Sequence, residues 1–489
     1  MMKAPVLSLP GPGGVQYPLA AFLKSWRWSP ITAVLVILCA GPGAAQAIGF
    51  EPDGDNGGGI YLPRQFTGNG SPGSGPPMFI LSGGGDDVPF GAESINDTSE
   101  YALGSYTWNV IFIQDNQQRN LDDREHPKVS TEDCATINCG TVHWSESMLT
   151  SRKQRVEDAI SFWNDESLDR HHPAAQLEIT VNFTNDVHNE GNPFTVDDIG
   201  DTGSSVGFID ALSSIDSDYS EFTSFSTATK QFNDDIRRSE NNHWAVTTFV
   251  KPYYGRASAS MNGPYTKGYE DDPTWTYAHE LGHIFGARDE YGSASTSGRS
   301  GYLYGYNTNA AKLPDGSDNP DSVSSVMKTH GNYVVSDGAN TTIGWLDTDD
   351  DTIPDILDTF PTLTVDTSGN QPLTGLFKTQ VDATVTPMPS PDPVEGDFTI
   401  NTLVSAQYRI DGAVWTDLQP IDNEFGDYTD LFLLEQLFPT AGTYLIDLQV
   451  FNSVGNHSDL QFMFTAVPEP SSLLLALFGL ALFPLQRRR

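Results

Sequence analysis

The spacing of apolar and polar positions changes period several times along this 489-residue chain. YTWNVIFIQ (106–114), LEITVNF (177–183) and HWAVTTFVKP (243–252) are dense in β-branched and aromatic side chains and read as strands. Between the first two, Leu149, Val156, Ala159, Ile160 and Trp163 recur at helical spacing, predicting a helix over 149–167 with one apolar stripe. ASASMNGPY (257–265) suits an edge strand, where its proline and glycine are tolerated. WTYAHELGHIF (275–285) contains one glycine and no proline. It predicts a helix capped by Asp272 and opened by Pro273, where the missing N–H is not needed. Residues 185–240, rich in Asp, Ser and Thr, show no clear period, and their elements stay open.

Beyond residue 360 the pattern becomes all-β. Asp411-Gly412 sits between two alternating runs, a strong hairpin signal, and TYLIDLQVF places Tyr444, Ile446, Leu448 and Val450 on one face. This stretch loosely resembles an immunoglobulin- or fibronectin-like sandwich, and TPMPSPDP (386–393) reads as a stiff loop beside it. The expected fold class is α+β: a mixed twisted sheet with helices over 101–345, an Asp-rich stretch at 346–360, and a β-sandwich at 361–466. Residues 48–100 are so rich in Gly, Pro and Asp that they read as a flexible lead-in.

Both ends read as addresses. Lys24 and Arg27 precede the apolar run ITAVLVILCA, and Ala45-Gln46-Ala47 is a small-x-small site for signal peptidase, so 1–47 is expected to be a signal peptide cleaved after Ala47. At the other end, VPEPSSLLLALFGLALFPLQRRR (467–489) joins a Pro-Glu-Pro triplet, a short apolar stretch and three arginines. It resembles the PEP-CTERM sorting tail. That resemblance implies recognition by an exosortase-type machinery, transient membrane contact through the tail, and a place outside a Gram-negative cell or on its outer surface. Charge agrees with export: 64 acidic against 26 basic residues give a net charge of -38, which argues against nucleic acid as a partner. Of the three cysteines, Cys39 lies in the signal peptide. Cys134 and Cys139 are close enough for a small disulfide loop in an oxidising compartment.

The chemistry concentrates in HELGHIFGARDEY (279–291). On a helix, His279 and His283 lie one turn apart on one face and can share one ion. Glu280, rotated by about 100°, reaches a water beside that ion without being forced to ligate it. Gly286, just past the helix, lets the chain turn back and bring an acid, Asp289 or Glu290, toward the same ion. The pattern H-E-x-x-H-x-x-G-x-x-(H or D) places Asp289 in the third position. It resembles the metzincin zinc peptidases, specifically snapalysin-like members with an aspartate ligand. Glu290 is the weaker ligand candidate and suits a hydrogen bond behind the ligands or a salt bridge.

The metzincin resemblance covers roughly 105–345 and implies several roles. Met327, in SSVMKTH, would be the Met-turn methionine beneath the histidines. Glu280 would be the general base for a zinc-activated water attacking a peptide carbonyl, with protein or peptide paired along the edge strand at 257–265. One departure stands out: where several metzincins have a tyrosine two residues after the methionine, this chain has Thr329. That leaves Tyr333, Tyr291 and His330 as candidates for stabilising the transition state. The His171-His172 pair is expected at the surface.

GWLDTDDDTIPDILD (344–358) follows. Asp347, Asp349, Asp351, Asp355 and Asp358 stand at positions 1, 3, 5, 9 and 12 of a calcium loop, with the Ile353 carbonyl at position 7. Thr352 replaces the usual glycine at position 6. The resemblance is to thrombospondin type 3 and dockerin repeats and implies Ca2+ beside the catalytic Zn2+. Two readings remain: an exported zinc metalloendopeptidase, or a noncatalytic surface or biofilm-matrix protein with a structural metal site and an adhesive sandwich.

Overall fold

The computed structural model describes residues 88–201, 203–366, 376–393, 396–438 and 440–466. The expected signal peptide, most of the lead-in and the sorting tail lie outside them. No helix among the described residues is long and apolar enough to cross a membrane.

The first layer is built on β1 (Gly104–Gln114), α1 (Glu146–Leu168), β2 (Leu177–Phe183), α2 (Phe208–Ile215), α3 (Phe225–Ser239), β3 (Trp244–Lys251), β4 (Ser258–Ala259) and β5 (Tyr265–Tyr269). The sheet order is β2-β1-β3-β5-β4, parallel except for β4, which pairs antiparallel with β5 at the edge. A central parallel strand must bury both faces. β1 does so: Tyr106, Trp108, Val110 and Phe112 pack with Val156, Ala159, Ile160 and Trp163 of α1. Ile111 and Ile113 turn instead toward Phe208 and Leu212 of α2 and Phe232 and Ile236 of α3. The two helices in the stretch left open, α2 and α3, therefore cover the second face of the sheet.

α4 (Thr274–Ile284) lies on the same side as α1. The fully buried Trp163 indole donates to Ala278 O at 3.0 Å, fixing one helix against the other. Asp272 does not cap α4. Pro273 is the capping residue, and the Asp272 carboxylate accepts from Tyr269 N at 2.6 Å while its carbonyl takes Arg152 and Arg155. The expected edge strand at 257–265 is a two-residue β4, a turn, and the start of β5. A short α5 (Asp337–Thr342) follows the 285–336 loops.

The second part is two antiparallel sheets. One holds β6 (Thr362–Val365), β7 (Leu376–Thr384) and later β10; the other holds β8 (Leu403–Ile410), β9 (Thr416–Asp417) and later β11 and β12. Those later strands are β10 (Thr429–Leu437), β11 (Gly442–Asn452) and β12 (His457–Ala466). The 411–412 turn has Asp411 and Gly412 both at positive φ, 49° and 73°, the combination a tight hairpin requires. Phe377, Val381, Phe432 and Leu434 of one sheet meet Ile446, Leu448, Val450 and Phe464 of the other.

Residues 88–100, expected to belong to a flexible lead-in, are packed against the core. Phe90 N donates to Thr399 O at 3.0 Å, and Ala92, Tyr101 and Leu103 are fully buried. Composition alone overlooks how few apolar residues a segment needs when it lies along an existing core. The two parts also share side chains: Phe398, Ile400 and Val454 pack into the first core with Tyr302 and Trp345. The Tyr302 hydroxyl bonds Met388 O and accepts Phe398 N at 3.0 Å. Cys134 and Cys139 are joined as a disulfide, with Cα atoms 5.4 Å apart.

Candidate metal centre

Backbone conformation fixes the ligands. α4 ends at Ile284, and Gly286 follows at φ 98°. A Cβ there would meet Gly301 Cα at 2.7 Å and Thr342 O at 3.0 Å, so only glycine allows the turn that sends Asp289 back toward the helix. His279 and His283 present rings 4.7 Å apart. His279 Nδ1 lies 3.0 Å from Val326 O, and His283 Nδ1 2.7 Å from Ala287 O. A carbonyl only accepts, so each Nδ1 carries a proton, and each neutral ring offers an Nε2 lone pair.

Both Nε2 atoms face Asp289 Oδ1, at 3.2 and 3.3 Å. That oxygen is buried and has no hydrogen-bond partner. Two lone pairs directed at one carboxylate oxygen repel unless a proton or a cation sits among them. A donor set of two imidazoles and one carboxylate oxygen, with ligand atoms all within 4.8 Å of one another, suits zinc. Burial works against the His283 imidazolium, but Asp289 and Glu280 outweigh it and raise its pKa. Burial likewise pushes Asp289 up, and the two imidazoles reverse this, holding it well below the ordinary carboxylate range.

Glu280 is 8 % exposed. Burial pushes its pKa up, the two histidines and Arg256 partly offset this, and Asp289 adds to it. A carboxylate whose proton affinity is raised is better placed to take and return a proton near neutral pH. Met327 is fully buried beneath the helix, and a Cβ on Gly282 would come within 2.6 Å of its sulfur. Glycine at 282 and methionine at 327 therefore form one close contact.

Glu290 points away from the ligands and is fully buried. Its carboxylate accepts from Asn309 Nδ2 at 2.6 Å and from the hydroxyls of Ser325 and Ser336, and its N–H donates to Met327 O at 3.0 Å. Asn307 Nδ2 donates to Asp289 O at 2.9 Å. Of the two adjacent acids, one meets the histidines and the other binds the Met327 turn to the loop that carries it.

The three transition-state candidates separate. Tyr291 lies 6.1 Å from the His279 ring, and its hydroxyl interacts with both Asp289 and Arg256. His330 meets Trp275, which lies between it and His279, and Tyr333 packs on Phe162. The sequence reading missed Arg256 and Trp275: one lies on an unpatterned loop, and the other passes for an ordinary apolar position of the helix.

The acidic loop is only partly convergent. Asp347, Asp349 and Asp351 bring carboxylate oxygens within 4.8 Å of one another. Asp355 instead accepts from Thr348 N at 2.8 Å, Asp358 accepts from Asn456 Nδ2 at 2.7 Å, and the Ile353 N–H donates to Asp351. Thr352 takes φ 77°, the conformation that favours glycine there. His171, expected at the surface, is buried against Trp345 with its ring centroid 5.0 Å away. The chain returns there from α1, and the His172 N–H donates to Thr352 O at 2.8 Å.

Residues 466–489 match the model of the PEP-CTERM protein-sorting motif. The match implies recognition by exosortase-type sorting machinery, secretion, and sorting to the surface of a Gram-negative cell. No curated protein matches the chain. Among solved structures, the PKD1 domain of Vibrio anguillarum Epp is 14% identical over 22% of this chain and 96% of its own, with a TM-score of 0.13. Wild-type OgpA from Akkermansia muciniphila is 10% identical over 75% of this chain and 94% of its own, with a TM-score of 0.23. Likenesses at these TM-scores assign neither fold nor activity to this chain.

Proposed function

We propose that the protein is an exported zinc-dependent metalloendopeptidase. The observation that carries this reading is the buried, unpartnered Asp289 Oδ1 facing two Nε2 atoms whose rings are fixed by backbone carbonyls, with Glu280 beside them. His279, His283 and Asp289 would hold the ion. Bound there, zinc supplies Lewis-acid polarisation of a carbonyl and acidifies a water. Glu280 takes the proton of the attacking water and returns it to the leaving amine. Tyr291, with Arg256 behind its hydroxyl, is the group nearest the ligands for stabilising the developing oxyanion. An extended peptide pairs along β4, the antiparallel edge strand of the sheet. The Asp347, Asp349 and Asp351 loop takes calcium as a structural ion.

A structural zinc site uses four protein ligands. The metal-ligating group at this helix holds three among the described residues, which favours the catalytic reading over an adhesive one. The test is hydrolysis of denatured protein and peptide mixtures by the purified 48–466 protein beside its Glu280→Gln variant. If both bind zinc and both are inert, the adhesive reading replaces this one.

A further inference from the structure

The sandwich contains a group of charges that the proposed peptidase does not use. Along β10 the exposed Thr429, Leu431 and Leu433 alternate with the buried Asp430, Phe432 and Leu434. Asp430 therefore takes a core-facing position where the pattern wants an apolar residue. It is 3 % exposed, and its Oδ2 is buried without a hydrogen-bond partner. Asp422 and Asp427, on the loop leading into β10, bring carboxylate oxygens within 4.8 Å of it and of each other.

The sandwich sequence is poor in basic residues. Its only Lys and Arg between 361 and 466 are Lys378 and Arg409, and these pair with Glu435 and Asp447. The acids are also not free to spread. Gly426 N donates to Leu403 O and Leu403 N to Asp427 O, both at 2.9 Å, while Ile421 N donates to Leu431 O at 2.8 Å. A buried carboxylate among like charges must take up a proton or a cation.

We propose that Asp422, Asp427 and Asp430 form a calcium site that anchors the 421–428 loop to the start of β10. Three hard oxygen donors from a loop and a strand suit calcium's irregular coordination. Magnesium demands a near-ideal octahedron, and zinc prefers nitrogen and sulfur. The site is separate from the 347–358 loop and does not depend on peptidase activity.

The experiment strips the intact protein with chelator and counts calcium bound by equilibrium dialysis, with thermal melts in parallel. Asp430→Asn should lose one calcium per chain, or bind it at least tenfold more weakly, and lose part of the calcium-induced rise in Tm. Asp351→Asn should leave that site intact, which separates it from the acidic loop. Asp422→Asn, on the exposed turn, gives the same reading should the core substitution fail to fold. Unchanged calcium stoichiometry and affinity in both Asp430→Asn and Asp422→Asn would overturn the proposal.

Discussion

The metal helix and the acidic loop both gather carboxylates, yet they are built on different terms. At the helix, every ligand has a second atom or neighbour fixed from behind: His279 by Val326 O, His283 by Ala287 O, and the Asp289 carbonyl by Asn307. The two Nε2 atoms and Asp289 Oδ1 are left facing one another. In the loop, the acids spend much of their capacity on the loop's own N–H groups, as Asp347 does with Thr352 N at 2.8 Å and Asp355 with Thr348 N at 2.8 Å. One site is preorganised by groups behind the ligands; the other is largely self-satisfied. The comparison teaches that the donors left unpaired say more than the number of acids gathered.

The sharpest break is Glu280→Gln, which removes the proton carrier but none of the three ligands. Activity should fall by about 10²–10⁴-fold while zinc content, measured by atomic absorption, is unchanged. Glu290→Gln tests the support behind Asp289. It sets an amide donor against Asn309, Ser325 and Ser336, which should weaken zinc binding about 10–100-fold and lower folding stability by about 2–4 kcal/mol. Equal zinc affinity in the variant would mean that Asp289 does not need that network.

A pH series probes where the loop joins the core. Burial first, then Arg170, lower the His171 pKa to about 4, with Asp347 opposing. The unfolded chain takes up that proton near pH 6.5, so stability is complete above this value, falls as pH drops, and levels off near 4. The loss approaches about 3 kcal/mol, and His171→Phe should flatten the slope in urea melts between pH 4 and 7. The smallest effect is expected from Asp351→Asn. It should leave peptidase activity unchanged and lower Tm by a few degrees only when calcium is present, because exposed acids in a self-bonded loop bind weakly. A larger loss would erase the contrast between the two regions.

Much of the first layer was legible because its two central strands, β1 and β3, are almost wholly buried and its first helix carries one stripe. Trp163, Val156 and Ile160 could not face water without cost, so the pattern located α1 within a few residues. The His279, His283 and Asp289 constellation was legible because helical spacing and one glycine dictate it locally. The Glu290 network was not, since its partners at 309, 325 and 336 are close only after the long loops fold. α2 and α3 were hidden by polar residues on their outer faces. Asp430 was hidden in the opposite way, because its neighbours read as an ordinary alternating strand.

The seam at Tyr302 has a mechanical consequence. With Phe398, Ile400 and Val454 inserted beside Tyr302 and Trp345, the sandwich closes one wall of the core that carries the metal helix. Severing the chain past residue 360 would strip that wall and expose an apolar scar. The two parts are therefore expected to melt as one unit, because neither keeps its full core without the other.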